Sequence, residues 1–228
     1  MGIGTLNENS LHADLRNILL VQGDRIEVPI NGYWIDIVRD DLLIEVQTRN
    51  FSAIKKKLTY LQILHPIRLI YPISIRKWIT KINDDGVSIC RKSPKHGVLD
   101  LLFYELVRIP EIVLHPNFSL EVMMIEEEEI QIPNNHSNRR NSWRRKGWSI
   151  FDRKLINIID RKTFNTPEDY HIFIDPIPDD MPFTTKEFGL LRGVNLPLAY
   201  KMTYTLRKIG LISIYEKKSR TNIYKKNI

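Results

Sequence analysis

Leu11, Leu15, Ile18 and Leu19 recur at helical spacing within "ENSLHADLRNILL", and "RIEVPI" then alternates as a strand does, so a helix is predicted to feed a strand. The apolar runs "GYWIDIV" and "LLIEVQT" flank the polar turn Arg39-Asp40-Asp41 and predict a β-hairpin. "NFSAIKKKLTYLQILH" predicts a helix capped by Asn50 or Ser52, with Ile54, Leu58, Leu61 and Leu64 as its inward stripe. "IRLIYPI" is apolar on both faces, as a central strand would be. "KWITKI" and "VSICRK" around Asn83-Asp84-Asp85-Gly86 predict a second hairpin; "GVLDLLFYELVRIPEIV" predicts a helix and "NFSLEVMMI" a strand. The predicted order, α-β-β-β-α-β-β-β-α-β, is that of an α/β fold, a mixed sheet flanked by helices.

Further along, the pattern changes. The acidic run Glu126 to Glu129, expected as a solvated strand end or loop, gives way to Pro and Asn and then to a basic cluster, which places a boundary near residue 134. A hairpin is expected at Arg153-Lys154 and a short helix after Thr166-Pro167. Beyond it come a short helix capped by Thr184 or Thr185, the turn "GVNLP", a second helix ended by Gly210, and two strands around a basic turn. The expected organisation is residues 1–133, a basic linker or hairpin at 134–165, and a small α+β domain at 166–228.

Charge sharpens this division. The net charge of +7 is unevenly spread: residues 139–228 hold 19 Lys and Arg against 9 Asp and Glu, whereas residues 1–138 hold 15 against 18. A segregated positive field favours a polyanion through phosphate contacts and counterion release, so nucleic acid is the expected partner. The single Cys90 excludes an intramolecular disulfide and a Cys-based zinc cluster. No apolar run approaches the roughly 18 residues of a membrane span, and no secretory leader is legible, so a cytoplasmic protein without a membrane partner is expected.

The first hairpin carries the candidate chemistry. Glu45 and Gln47 share one face of their strand, and the tight turn brings Asp36 on the partner strand within reach of Glu45. On residue pattern alone, these carboxylates either converge on a hard divalent cation or line the solvent face of a sheet edge.

The succession Gly23-Asp24, "RIEVPI", "WIDIV", "LIEVQT", a capped helix and "IRLIYPI" resembles the PD-(D/E)xK nuclease superfamily, especially its Holliday-junction-resolvase and RecB-like branches, over roughly residues 6–75. The resemblance implies a restriction-endonuclease-like core and a site for Mg²⁺ or Mn²⁺. Its ligands would be Asp36 and Glu45, with the Val46 carbonyl assisting and Glu8 completing the set, ahead of His12 and Asp14. The family's lysine falls on Gln47, whose amide orients a water but supplies no charge. Some branches carry that lysine on the following helix, and here Lys55-Lys56-Lys57 opens it. At about 100° per residue, Lys57 falls in the arc bounded by Leu64 and Leu58, so it either snorkels past the core to solvent or, the reading favoured beside "IEVQT", reaches the carboxylates.

Residues 182–226 resemble a winged helix-turn-helix. The resemblance implies Asn195, Tyr200, Lys201, Tyr204, Arg207 and Lys208 in the major groove and Lys217, Lys218 and Arg220 on the DNA backbone. Trp143 and Trp148, around Arg144-Arg145-Lys146, are candidates for stacking on bases or for packing. The expected function is a metal-dependent DNA nuclease brought to DNA by a winged helix, with a homodimer admitted as its assembly. The alternatives are a non-catalytic DNA-binding protein or regulator on a degenerate nuclease scaffold, and an interaction module for an acidic partner.

Overall fold

Helix α1 (Ser10–Leu19) buries Leu11, Leu15 and Leu19 along one stripe. The computed structural model of the chain describes residues 10–133 and 147–227. Strands β1 (Arg25–Ile30), β2 (Tyr33–Arg39) and β3 (Leu42–Val46) form an antiparallel meander. Its two turns carry Asn31, Gly32 and Asp40 at positive φ, the conformations that match the twist of the flanking strands. Helix α2 (Phe51–Leu61) is the crossover that lets β4 (Ile67–Ile82) lie parallel to β3. Strand β5 (Ser88–Lys92) folds back on β4; α3 (Phe103–Leu106), β6 (Phe118–Pro133) and β7 (Trp148–Phe164) follow. The architecture is mixed α/β: a seven-stranded mixed sheet in the order β1-β2-β3-β4-β6-β7, with β5 beside β4, accompanied by helices. A second sheet, β8-β10-β9, joins β8 (Phe183–Thr184), β9 (Ile212–Lys218) and β10 (Thr221–Lys226), with α4 (Thr185–Arg192) and α5 (Leu196–Lys208) between β8 and β9. Among the described residues no helix is long and apolar enough to cross a membrane.

The chain divides into two compact units. One unit comprises residues 23–71, 99–122 and 162–228. Its core includes Ile35, Ile37, Ile44, Val46, Leu58, Leu61, Leu69 and Ile70, all buried, each contributing about 1.5–3 kcal/mol by leaving water. Phe164, Tyr170 and Phe173 stack, and Phe103 meets Phe173 edge-on at 4.7 Å. Asp100, itself buried, takes a two-pronged grip from Arg192 of α4 (2.9 Å from Nε and from Nη2), so the helices after residue 183 are fastened to the segment before α3. Thr184 and Glu187 form the capping box that starts α4, and Gly193, in the left-handed region, ends it.

The other unit comprises residues up to 22, 72–98 and 123–161. In it Asp152 accepts hydrogen bonds from the Ser10 amide and hydroxyl, and Asp14 from the Leu155 amide at 3.0 Å, which ties α1 to β7. Lys77 of β4 bridges Glu127 and Glu129 of β6 at 2.9 and 2.8 Å.

Several expectations are corrected. "IRLIYPI" and "KWITKI" are one strand, because Pro72 and Arg76 interrupt the apolar pattern without breaking the extended backbone. The Glu126 to Glu129 run lies inside β6, where Glu127 and Glu129 are buried on Lys77, Glu126 takes the Trp78 indole N–H at 2.7 Å, and Glu128 pairs with the Thr80 hydroxyl. No hairpin turns at Arg153-Lys154; β7 runs through it. The helix expected across 97–113 is a 3₁₀ turn at Leu99–Leu102 running into the four-residue α3, which ends ahead of Pro110, and a separate 3₁₀ turn at Ile112–Leu114 beyond it. Leu64 is exposed rather than part of the inward stripe. The boundary expected near residue 134 lies outside the described residues.

Asp100→Ala should cost about 3 kcal/mol or more in urea denaturation, since it strands a half-buried guanidinium. Asp100→Ala/Arg192→Met should cost less than Asp100→Ala and Arg192→Met added together; additive losses would show that the two groups do not act as a pair.

Candidate active site

Strands β2 and β3 pair at Arg39↔Leu42, Val38↔Leu43 and Ile37↔Ile44. Carried one step further, the register would set Asp36 opposite Glu45. There side chains take over from the ladder: the Val46 N–H donates to Asp36 Oδ2 at 2.8 Å. The N–H and C=O of an extended residue point the same way, so the Val46 carbonyl also lies on the Asp36 side.

Into the opening reaches Lys57 of α2. Its Nζ lies 2.5 Å from Glu45 Oε1 and donates to the Trp34 carbonyl at the same distance. The helix is aimed by burial of Phe51, Leu58 and Leu61, and by an edge-on contact of Phe51 with Tyr71 at 5.0 Å. Its first turn is capped differently from the expectation. Asn50 occupies the left-handed region with no side-chain cap, Ser52 is exposed, and Glu105 of α3 accepts the Phe51 N–H at 2.9 Å instead. Gln47 is turned to the carbonyls of Arg49 and Asn50 through its amide nitrogen, bracing the turn that leads into α2.

Glu45 is buried, and its Oε2 has no hydrogen-bond partner. Burial, then the neighbouring Asp36 charge, push its carboxyl up to about 7 against the opposing pull of Lys57. Two carboxylates and a carbonyl are an oxygen set suited to a hard divalent cation; a cation would relieve the repulsion and occupy the orphaned oxygen. Asp36, Glu45, Val46 and Lys57 are therefore brought together. Glu8 lies outside the described residues. Among the described residues no three His, Cys, Asp or Glu side chains gather into a metal cluster. Of the lesser candidates, Asp14 is engaged by the Leu155 amide and His12 is half-buried on α1.

Helix α5 turns Leu198, Ala199, Met202, Thr203, Leu206 and Ile209 inward and leaves Tyr200 and Tyr204 exposed. The cations of Arg207 and Lys208 lie 5.9 Å from the Tyr204 ring centre, and Lys201 lies 5.8 Å from that of Tyr104 on α3. Asn195 is the N-cap of α5, accepting the Leu198 N–H at 3.0 Å. Lys217, Lys218 and Arg220 are exposed around the β9–β10 turn, with Lys218 3.4 Å from Glu216. Trp148 carries the Lys81 ammonium 4.7 Å above its ring; Trp143 and Arg144-Arg145-Lys146 lie outside the described residues. Residue pattern gave no warning of Glu105, whose role depends on a contact 54 positions away.

Residues 9–165 match the model of a family described as a domain of unknown function (DUF8091), and the chain belongs to that family. It is also similar to a protein of Treponema pallidum (strain Nichols) described as uncharacterized, 29% identical over 230 residues that cover 99% of this chain and 88% of the relative. No solved structure matches it.

Glu45 holds its proton more tightly in the folded than in the unfolded chain, so its contribution to stability is complete below the usual carboxylate range and disappears as pH rises through about 7. Glu45→Gln should therefore gain melting temperature relative to the parent chain between pH 5 and pH 8. A constant gap across that window would show that Lys57 outweighs burial and Asp36.

Proposed function

We propose that the chain is a metal-dependent deoxyribonuclease of the PD-(D/E)xK kind, in which β8, α4, α5, β9 and β10 serve as a winged helix that delivers it to DNA. The observation that carries this reading is Lys57 Nζ set 2.5 Å from a buried glutamate beside Asp36, an ammonium supplied by the following helix where the motif position holds Gln47.

Bound Mg²⁺ or Mn²⁺ would supply an activated water and polarise the phosphate. Asp36, Glu45 and the Val46 carbonyl would hold it. Glu45 must shed its proton to serve as a ligand, which ties occupancy of the site to pH. Lys57 offsets negative charge developing on the phosphoryl oxygens. Gln47, its amide nitrogen committed to backbone carbonyls, has its side-chain oxygen left to accept from a water. The winged-helix reading is supported by the two-helix and hairpin order, by a three-stranded sheet, and by the exposed Tyr200, Tyr204 and Lys208 of α5 with a basic turn at residues 217–220. The engagement of Gln47 favours a second reading, a DNA-binding scaffold without catalysis.

The purified chain should nick or degrade plasmid, linear or branched DNA with Mg²⁺ or Mn²⁺. Asp36→Ala/Glu45→Ala should abolish cutting, and Lys57→Ala should slow it by about 10²–10³-fold. Equal cutting by the double variant would mean a contaminating nuclease and would remove the reading; DNA binding with no cutting by the parent chain would leave the scaffold. Separately, Lys217→Ala/Lys218→Ala/Arg220→Ala should flatten the dependence of duplex affinity on salt by about one unit of slope per lost phosphate contact, while an unaltered slope would take the wing off the DNA.

A further inference from the structure

Trp34 stands apart from its neighbours on β2. Ile35 and Ile37 are 2% and 0% exposed, whereas Trp34 is 65% exposed. Successive side chains of a strand alternate in direction, so Trp34 shares its face with Asp36, about 7 Å along the strand, and not with the core residues between and beyond them. Its backbone is held from two sides: it pairs with Pro29 across the β1–β2 ladder, and its carbonyl receives the same Lys57 ammonium that binds Glu45. A large planar ring is thus displayed on a braced backbone at the edge of the carboxylate site. Exposing an indole forgoes burial that a β-strand residue ordinarily gains, and the charged groups beside it are unsuited to an apolar protein or lipid surface.

We propose that Trp34 is a base-stacking subsite that selects DNA in which the base beside the cleaved phosphate is unpaired: single strands, frayed ends and flaps. The inference rests on the nuclease reading for what the neighbouring carboxylates do. Bases within a duplex present only their edges to a side chain, whereas an unpaired base offers a face to the indole. Stacking of this kind tolerates any base, so the subsite selects strand structure and not sequence.

The test uses the whole chain, in EDTA so that nothing is cut, and compares a single-stranded oligonucleotide with a blunt duplex containing the same sequence. Trp34→Ala should weaken single-strand binding by about tenfold or more and leave duplex binding within about twofold of the parent chain; Trp34→Phe should restore most of the loss. Because the side chain is largely exposed, the melting temperature of both variants should match the parent's, which separates lost stacking from lost fold. Unchanged single-strand binding in Trp34→Ala, or an equal loss on both DNA forms, overturns the subsite. The two readings fail separately: metal-dependent cutting that needs Asp36 alongside indifferent Trp34→Ala binding removes the subsite alone. Selective single-strand loss in a chain that never cuts removes the nuclease and keeps a strand-binding site.

Discussion

The Val46 amide bonded to the Asp36 carboxylate is the constraint from which the site follows. A backbone donor that would otherwise stay in the ladder is handed to a side chain, and β2 and β3 part beyond Ile37 and Ile44. The Trp34 carbonyl is thereby left to accept from Lys57 of α2, while the register of the two strands keeps Asp36 beside Glu45. Burial of Glu45, and after it the nearby Asp36 charge, disfavour the carboxylate and raise its proton affinity. Lys57 offsets part of this effect, and the surrounding apolar core of β2, β3, α2 and β4 supplies the stability that allows the rest.

The position of Lys57 in turn depends on residues distant in sequence. Rotating α2 by one residue would carry the ammonium away from Glu45, since each step turns the helix by about 100°. Phe51 against Tyr71, Leu58 and Leu61 in the core, and Glu105 on the first N–H hold that rotation. A capping carboxylate 54 positions downstream thus helps to place an ammonium at the site, linking α3 to a group it does not touch.

Local chemistry explains which of these features were legible in the sequence. The β1–β3 meander and α2 follow from alternation, turn residues and helical spacing, all of which act within a few positions. The wheel put Lys57 inward only by counting Leu64 in the stripe; with Leu64 exposed, Lys57 stands at the margin of the buried face, and its bond to Glu45 is a tertiary contact. What sequence pattern misplaced depends on partners far along the chain. Glu127 and Glu129 read as a solvated run because nothing nearby announces Lys77, which lies about 50 positions earlier and neutralises them inside the sheet. Arg153-Lys154 read as a turn, yet Arg153 lies within 4.0 Å of Glu129, so the charges that suggested solvent instead meet a neighbouring strand. "IRLIYPI" and "KWITKI" read as separate strands because Ser74 and Arg76 break the apolar run between them, yet the extended backbone continues through both. Asn50 suggested a cap by residue type, but its left-handed backbone turns the role over to Glu105.

The ion pair between Asp100 and Arg192 has a bearing on how the molecule comes into being. The family match stops at residue 165, yet the guanidinium that neutralises Asp100 is donated by residue 192. During synthesis, a nascent chain that has emerged only as far as the match lacks the guanidinium that accompanies this carboxylate inward in the folded chain. Burial of Asp100 at its full depth therefore waits for a residue beyond the match.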